Sequence, residues 1–202
     1  MIRILLIVSL LSSPLWLIAQ HFNGGLLAGA SATQVDGDGH GGYNRLGGIA
    51  GAWVSYSINQ NIYLRTELKF IQKGSYKKFS DEFGGILGLY SLRLNYVEMP
   101  FLIEYHFRDD FIPFAGFSFG YLWKAIESDA NGSYPSDDIA MFRKFESTGI
   151  AGVEYVFSSS FSFCAAFSYS VYPVRPHKGN ITYRLNQGQY NNALQFYFRY
   201  HF

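Results

Sequence analysis

Charged side chains are scarce in this 202-residue chain, yet where they occur they tend to stand between apolar neighbours. Arg65, Glu67 and Lys69 alternate with Leu64, Thr66, Leu68 and Phe70, and Arg199 stands between Phe198 and Tyr200. Arg93, Glu98, Glu104, Lys144, Glu146 and Glu154 complete a set of five bases and five acids. In a confined polar space such a set can pair with itself, because an unpaired buried charge is costly. An imperfectly paired lattice could instead pass ions or small solutes. Catalysis would need a nucleophile and a base within hydrogen-bond reach, oriented by a third group. His40, His106, His177 and His201 are scattered, and no spacing among the serines and acids picks out such a triad. Asp36-Gly37-Asp38-Gly39-His40-Gly41 begins like a calcium loop, but His40 replaces an oxygen ligand and Gly47 stands where the bidentate Glu belongs. The lone Cys164 can form no internal disulfide and has no metal-ligand spacing around it. We therefore read no catalytic residue, no metal site and no cofactor, and expect a non-enzymatic protein.

The elements that carry these charges read as β-strands. Ile62, Leu64, Thr66, Leu68 and Phe70 share one face of a segment whose other face holds Tyr63, Arg65, Glu67 and Lys69. Phe161, Phe163, Ala165, Phe167, Tyr169 and Val171 oppose Ser162, Cys164, Ala166, Ser168 and Ser170 in the same way. A period of two sustained over eleven residues excludes an amphipathic helix. Eight strands are expected at about 23–34, 46–58, 61–73, 89–107, 111–124, 142–157, 161–172 and 190–202. Three connections are short, at 59–60, 108–110 and 158–160, and alternate with four long polar ones at 35–45, 74–88, 125–141 and 173–189. The fourth strand changes phase: Leu92, Leu94 and Tyr96 lie on one face, whereas Val97, Met99, Phe101, Ile103 and Tyr105 lie on the other. A bulge near Tyr96–Val97 would reconcile the halves.

Arg3, the apolar run from Ile4 to Ile18 and Ala19 read as a secretory signal over residues 1–19, with a retained anchor as the alternative. No other segment has the length of a spanning helix, so a mature chain over 20–202 that enters a membrane must do so as a closed β-barrel. Loss of Arg3 turns 16 basic and 15 acidic residues into 15 and 15, a balance that gives no support for a nucleic-acid partner. A soluble sandwich or lipocalin-like barrel would show the same alternation. Against it stand a charged fraction of 15%, an aromatic fraction of 19% and an end on Phe202. Phe196, Phe198, Tyr200 and Phe202 share one face of the last segment, and termini are usually polar. Alternating short turns and long loops, with an even strand count, places both termini on the periplasmic side of an outer membrane.

The closing strand, with Phe198, Tyr200 and Phe202, resembles the C-terminal assembly signal of bacterial outer-membrane barrels, which implies contact with the barrel-assembly machinery. Gly25-Leu26-Leu27-Ala28-Gly29, Leu68-Lys69-Phe70-Ile71-Gln72-Lys73-Gly74 and above all Leu94-Asn95-Tyr96-Val97-Glu98-Met99-Pro100-Phe101-Leu102 carry a wider resemblance. Joined by Phe114-Ala115-Gly116 and Gly120-Tyr121-Leu122, they make the chain similar to the PorT-like small outer-membrane barrels of Bacteroidetes. The resemblance implies an all-β, eight-stranded antiparallel transmembrane barrel. It implies no catalytic motif, and through the founding member it suggests an accessory role in protein secretion.

With the aromatic faces toward lipid, the ten charges Arg65, Glu67, Lys69, Arg93, Glu98, Glu104, Lys144, Glu146, Glu154 and Arg199 are expected inside. An eight-stranded barrel is just wide enough for side chains to fill, which favours a plugged lumen over a narrow pore. Two long loops offer candidate contacts to lipopolysaccharide phosphates, glycans or an envelope protein: Tyr76, Lys77 and Lys78 in one, Arg175, His177, Lys178 and Arg184 in the other. The expected role is structural or interactive, in the cell envelope and through the outer loops.

Overall fold

The computed structural model describes residues 22–80, 86–129, 132–133, 142–176 and 188–202. The expected signal segment 1–19 and the candidate contacts His177, Lys178 and Arg184 lie outside the described residues. The strands are β1 (Phe22–Asp36), β2 (Arg45–Ser57), β3 (Ile62–Ser80), β4 (Ile86–Tyr105), β5 (Phe111–Asp129), β6 (Gly132–Ser133), β7 (Phe145–Val156), β8 (Phe161–Ser170) and β9 (Tyr190–His201). The two-residue β6 pairs only with the end of β5. The other eight form one antiparallel wall that closes where β1 pairs with β9, from Gly25 opposite His201 to Asp36 opposite Tyr190.

Closure leaves no sheet edge and turns the alternation into an inside and an outside. On β9, Asn191, Ala193, Gln195, Tyr197 and Arg199 are buried, while Phe196, Phe198 and Tyr200 are exposed. On β8, Ser162, Cys164, Ala166, Ser168 and Ser170 point in and Phe161 and Phe167 point out. Phe117 is 61% exposed, Trp123 72% and Phe202 86%. Such a continuous apolar belt needs hydrocarbon, not water, around it. No described helix is long and apolar enough to cross a membrane. The tight turns follow from local side chains: Asn59 Oδ1 accepts from the backbone N–H of Asn61 (2.9 Å) and Ile62 (2.8 Å), and Ser158 Oγ accepts from that of Phe161 (3.1 Å).

The fourth strand departs from the sequence reading. Leu92, Leu94, Tyr96, Glu98, Pro100, Leu102 and Glu104 are all buried, so β4 keeps one phase throughout. The register does shift between Asn95 and Tyr96, but Asn95 pairs with Lys124 and Tyr96 with Leu122. The additional residue is therefore Trp123, on β5. What changes along β4 is its inward row, which is Leu92, Leu94 and Tyr96 in the upper half and gains Glu98 and Glu104 below.

The walls also differ in height. Strands β3, β4 and β5 have 19, 20 and 19 residues, whereas β8 has 10. About 9–11 residues cross a bilayer, so the first three rise well beyond it. Tyr76, Lys77 and Lys78 accordingly lie on a strand ladder, opposite Ser91, Tyr90 and Leu89, and not in a loop. Gly74, the first residue of the expected loop 74–88, is a close-approach position: a Cβ there would lie 2.0 Å from the Leu92 carbonyl oxygen, and its φ is 142°.

Candidate functional site

The charged residues that point inward form a column along the lumen. At its periplasmic end Arg65 and Arg199 are held between Glu104 and Glu154. Arg65 Nη1 donates to Glu104 Oε1 (2.6 Å) and Glu154 Oε2 (2.9 Å), and Arg65 Nε lies 3.2 Å from Glu67 Oε1. Arg199 Nη1 lies 3.1 Å from Glu104 Oε1 and also pairs with Glu154 Oε2. Aromatic faces stack on both guanidinium groups, with Arg199 3.7 Å from the Trp53 ring centre and Arg65 4.3 Å from that of Phe114. Trp53 finds its room over Gly25, where a Cβ would come within 2.8 Å of the indole nitrogen. At the rim, His106 Nε2 lies 3.4 Å from Glu104 Oε2, and His201 Nε2 lies 3.0 Å from Ser162 Oγ.

Above this cluster Lys69 Nζ bridges Glu67 Oε2 (3.0 Å) and Gln195 Oε1 (2.9 Å), and the Tyr197 hydroxyl donates to Glu67 Oε1 (3.2 Å). Gln195 in turn donates to Ser168 Oγ at 2.9 Å. A third layer is built around Lys73, 2.5 Å from Glu98 Oε1 and 3.1 Å from Glu146 Oε2. Glu146 also accepts from Ser170 (2.6 Å) and Asn191 (3.0 Å). The buried side chains of Ile71, Leu122 and Leu94 pack around this layer and Leu92 lies above it.

A residue from the last long connection reaches into the outer mouth. Arg175 donates to both oxygens of Glu127, at 2.6 and 3.0 Å, and its Nε donates to Gln189 Oε1 at 2.9 Å. The guanidinium lies 4.2 Å from the Phe142 ring centre, and Tyr90 donates to Glu127 Oε1 at 2.7 Å. A backbone bridge between Arg175 and Gln189 draws the stem of that connection inward. In the neighbouring turn after β1, Asp38 accepts from the His40 backbone N–H at 2.7 Å, and burial pushes its carboxyl above the usual range.

Eight of the ten residues expected inside are there. Arg93 is exposed on the outer surface, because β4 does not change phase and odd positions face out along its length. Lys144 is exposed one residue ahead of β7, where its carbonyl accepts from Leu122 N at 2.8 Å. Arg175, expected as an outer contact, is instead tied into the mouth. Two inward charges, one in the column and one at the mouth, are missing from the sequence reading. Lys73 continues the odd-numbered face of Arg65, Glu67 and Lys69, a signal hidden by ending the strand at that residue. Glu127 falls in the expected connection 125–141, but β5 runs through Asp129. Inside the column, the bases Arg65, Lys69, Lys73 and Arg199 meet the acids Glu67, Glu98, Glu104, Glu146 and Glu154. Neutral donors from Tyr197, Ser170 and Asn191 supply the hydrogen bonds that a fifth base would have given. Cys164 is fully buried on the inner face. Among the described residues, no group of three or more His, Cys, Asp or Glu could hold a metal ion.

An apolar belt outside, a charged column inside and closure without edges define a transmembrane β-barrel of the outer-membrane type. The model of the outer membrane protein beta-barrel domain matches residues 18–174, and the chain belongs to this family of outer-membrane proteins. Among solved structures it is similar to Ail, the attachment invasion locus protein of Yersinia pestis, with 14% identity and a TM-score of 0.50 over 91% of this chain and 100% of that one. It is also similar to Neisserial surface protein A, with 12% identity and a TM-score of 0.51 over 90% of this chain and 97% of that one. At these identities the likeness is one of fold. No curated protein sequence matches the chain.

Proposed function

We propose that this protein is a non-enzymatic outer-membrane barrel with a plugged lumen, acting in the cell envelope through its outer surface. The observation that carries the reading is the buried column itself. Arg65, Glu67, Lys69, Lys73, Glu98 and Glu154 are each at most 2% exposed and each contacts an opposite charge: Glu67 pairs along β3 with Arg65 and Lys69, while Arg65 and Lys73 reach Glu154 and Glu146 on β7. A conducting path would have to be wet, and hydrated charges would not be buried to this degree. Residues 1–19 would direct export, and the outward row of Phe198, Tyr200 and Phe202 would be read by the barrel-assembly machinery. The narrower kinship with PorT-like proteins rests on Leu94–Leu102. That stretch supplies Tyr96, Glu98 and Leu102 to the interior of β4, and with it comes the idea of an accessory role in secretion.

The test is single-channel conductance of the refolded mature chain in a planar bilayer, after a heat-dependent gel shift has established folding. Folded protein should be silent. Steady, charge-selective steps that change in Glu67→Gln would make the protein a pore.

A further inference from the structure

The two bases that leave the lumen join others on the outside of the barrel. Cross-strand pairing stacks three rows on the outer face of β3, β4 and β5: Gln72, Asn95 and Lys124; then Gly74, Arg93 and Ile126; then Tyr76, Ser91 and Ser128. Arg45, from the start of β2, reaches over to this face and donates to Ser91 Oγ at 3.2 Å. Burial, and then the neighbouring Arg93, hold the Arg45 guanidinium below its usual range. Exposed Lys144 follows on the β7 side, beside Leu122. None of these four bases takes part in an ion pair among the described residues. Neighbouring like charges without an acid are the complement of an anion.

Their height identifies the anion. The outward side chains of β4 from Tyr105 to Val97 are apolar, and this stretch spans about 20 Å along the barrel axis at the usual tilt, close to the thickness of the apolar band. Asn95 and Arg93 follow immediately on the outer side. Trp123, highly exposed, stands next to Lys124 at the same boundary, where aromatic girdles lie. The patch is one-sided. On β8, β9 and β1 the only base is Arg199, which is buried.

We propose that Arg45, Arg93, Lys124 and Lys144 bind the phosphate groups of an outer-leaflet glycolipid and hold its headgroup against the tall β3–β5 wall. The proposal deepens the reading of the outer surface as the working face. It does not depend on the lumen being plugged, so a conductance result leaves it untouched.

The mature chain from residue 20 retains only Trp53, inside the barrel, and Trp123, in the patch, so tryptophan fluorescence reports the patch directly. The experiment titrates the refolded mature chain in maltoside micelles with bisphosphorylated lipid A. A saturable change is expected, and none with fully dephosphorylated lipid A. Replacing Arg93→Gln together with Lys124→Gln should raise the midpoint roughly 30-fold, from about fivefold per basic side chain at an anionic lipid surface. Arg108→Gln, the loss of one such charge in a periplasmic turn, should leave it in place. If the double variant fails the heat-dependent gel shift, Arg45→Gln with Lys144→Gln tests the same patch. An equal response to dephosphorylated lipid, an unmoved midpoint, or an equal loss in Arg108→Gln would overturn the proposal. Displacement of the lipid by millimolar inorganic phosphate would also overturn it, since the patch would then be a site for the free anion.

Discussion

Arg65 and Arg93 carry the same charge on adjacent strands, and each stands between residues that read as wall. Arg65 is fully buried, with Glu67, Glu104 and Glu154 around it and the Phe114 ring over its guanidinium. Arg93 is exposed on the outer face, opposite Gly74 and Ile126, with no carboxylate partner among the described residues. One arginine is locked into the fold and the other is left available. A base inside the barrel is therefore part of what keeps the lumen full, and a base outside it is part of what the barrel offers to its surroundings.

The contrast can be broken most strongly at Arg65. Arg65→Gln leaves three buried carboxylates short of a partner and should destabilise the barrel by about 3–5 kcal/mol, the range for breaking a buried ion pair from one side. Urea unfolding in lipid vesicles, followed by the heat-dependent gel shift, measures it; a loss under 1 kcal/mol would mean that water reaches the cluster. Lys73→Met should cost about 2–3 kcal/mol, because Glu98 and Glu146 lose a shared cation while Glu146 keeps Ser170 and Asn191. Adding Glu98→Gln to Lys73→Met should recover part of that loss, and a double-mutant cycle would expose the coupling.

The mouth lies between the extremes. Glu127→Gln keeps hydrogen bonds to Tyr90 and Arg175 but removes the charge that pairs with Arg175, so a loss of about 1 kcal/mol is expected. If the same variant admits small thiol reagents to Cys164 in folded protein while wild type stays unreactive, the mouth is what seals the lumen from above. At the small end, Arg93→Gln should change stability by no more than about 0.5 kcal/mol, as for an exposed side chain without partners. A larger loss would mean that Arg93 serves the fold and would erase the difference from Arg65.

Much of this protein was legible before folding. The period of two in β3, β8 and β9 and the short turns at 59–60 and 158–160 point to a barrel and to which faces meet lipid. Strand alternation is local, and an apolar side chain facing water would be unfavourable enough to settle the orientation of a whole strand. The limit came where that argument loses its grip. In the upper half of β4 both faces can be apolar or polar, since Leu92, Leu94 and Tyr96 fill the lumen while Arg93 and Asn95 face out near the membrane surface. Local pattern cannot choose between the two phases there; the ladder with β5 from Ser91 to Glu104, in which the additional residue is Trp123 and not one of β4, decides it. The partners of each charge were equally out of reach. Lys73 meets Glu146 from 73 positions away, Lys69 meets Gln195 from 126, and Arg175 meets Glu127 across the mouth. Sequence by itself determined that the chain closes into a lipid-facing wall, because that follows from neighbours two residues apart. Only the closed barrel decided which charges are buried inside it and which are presented outside, because that depends on register accumulated around the ring.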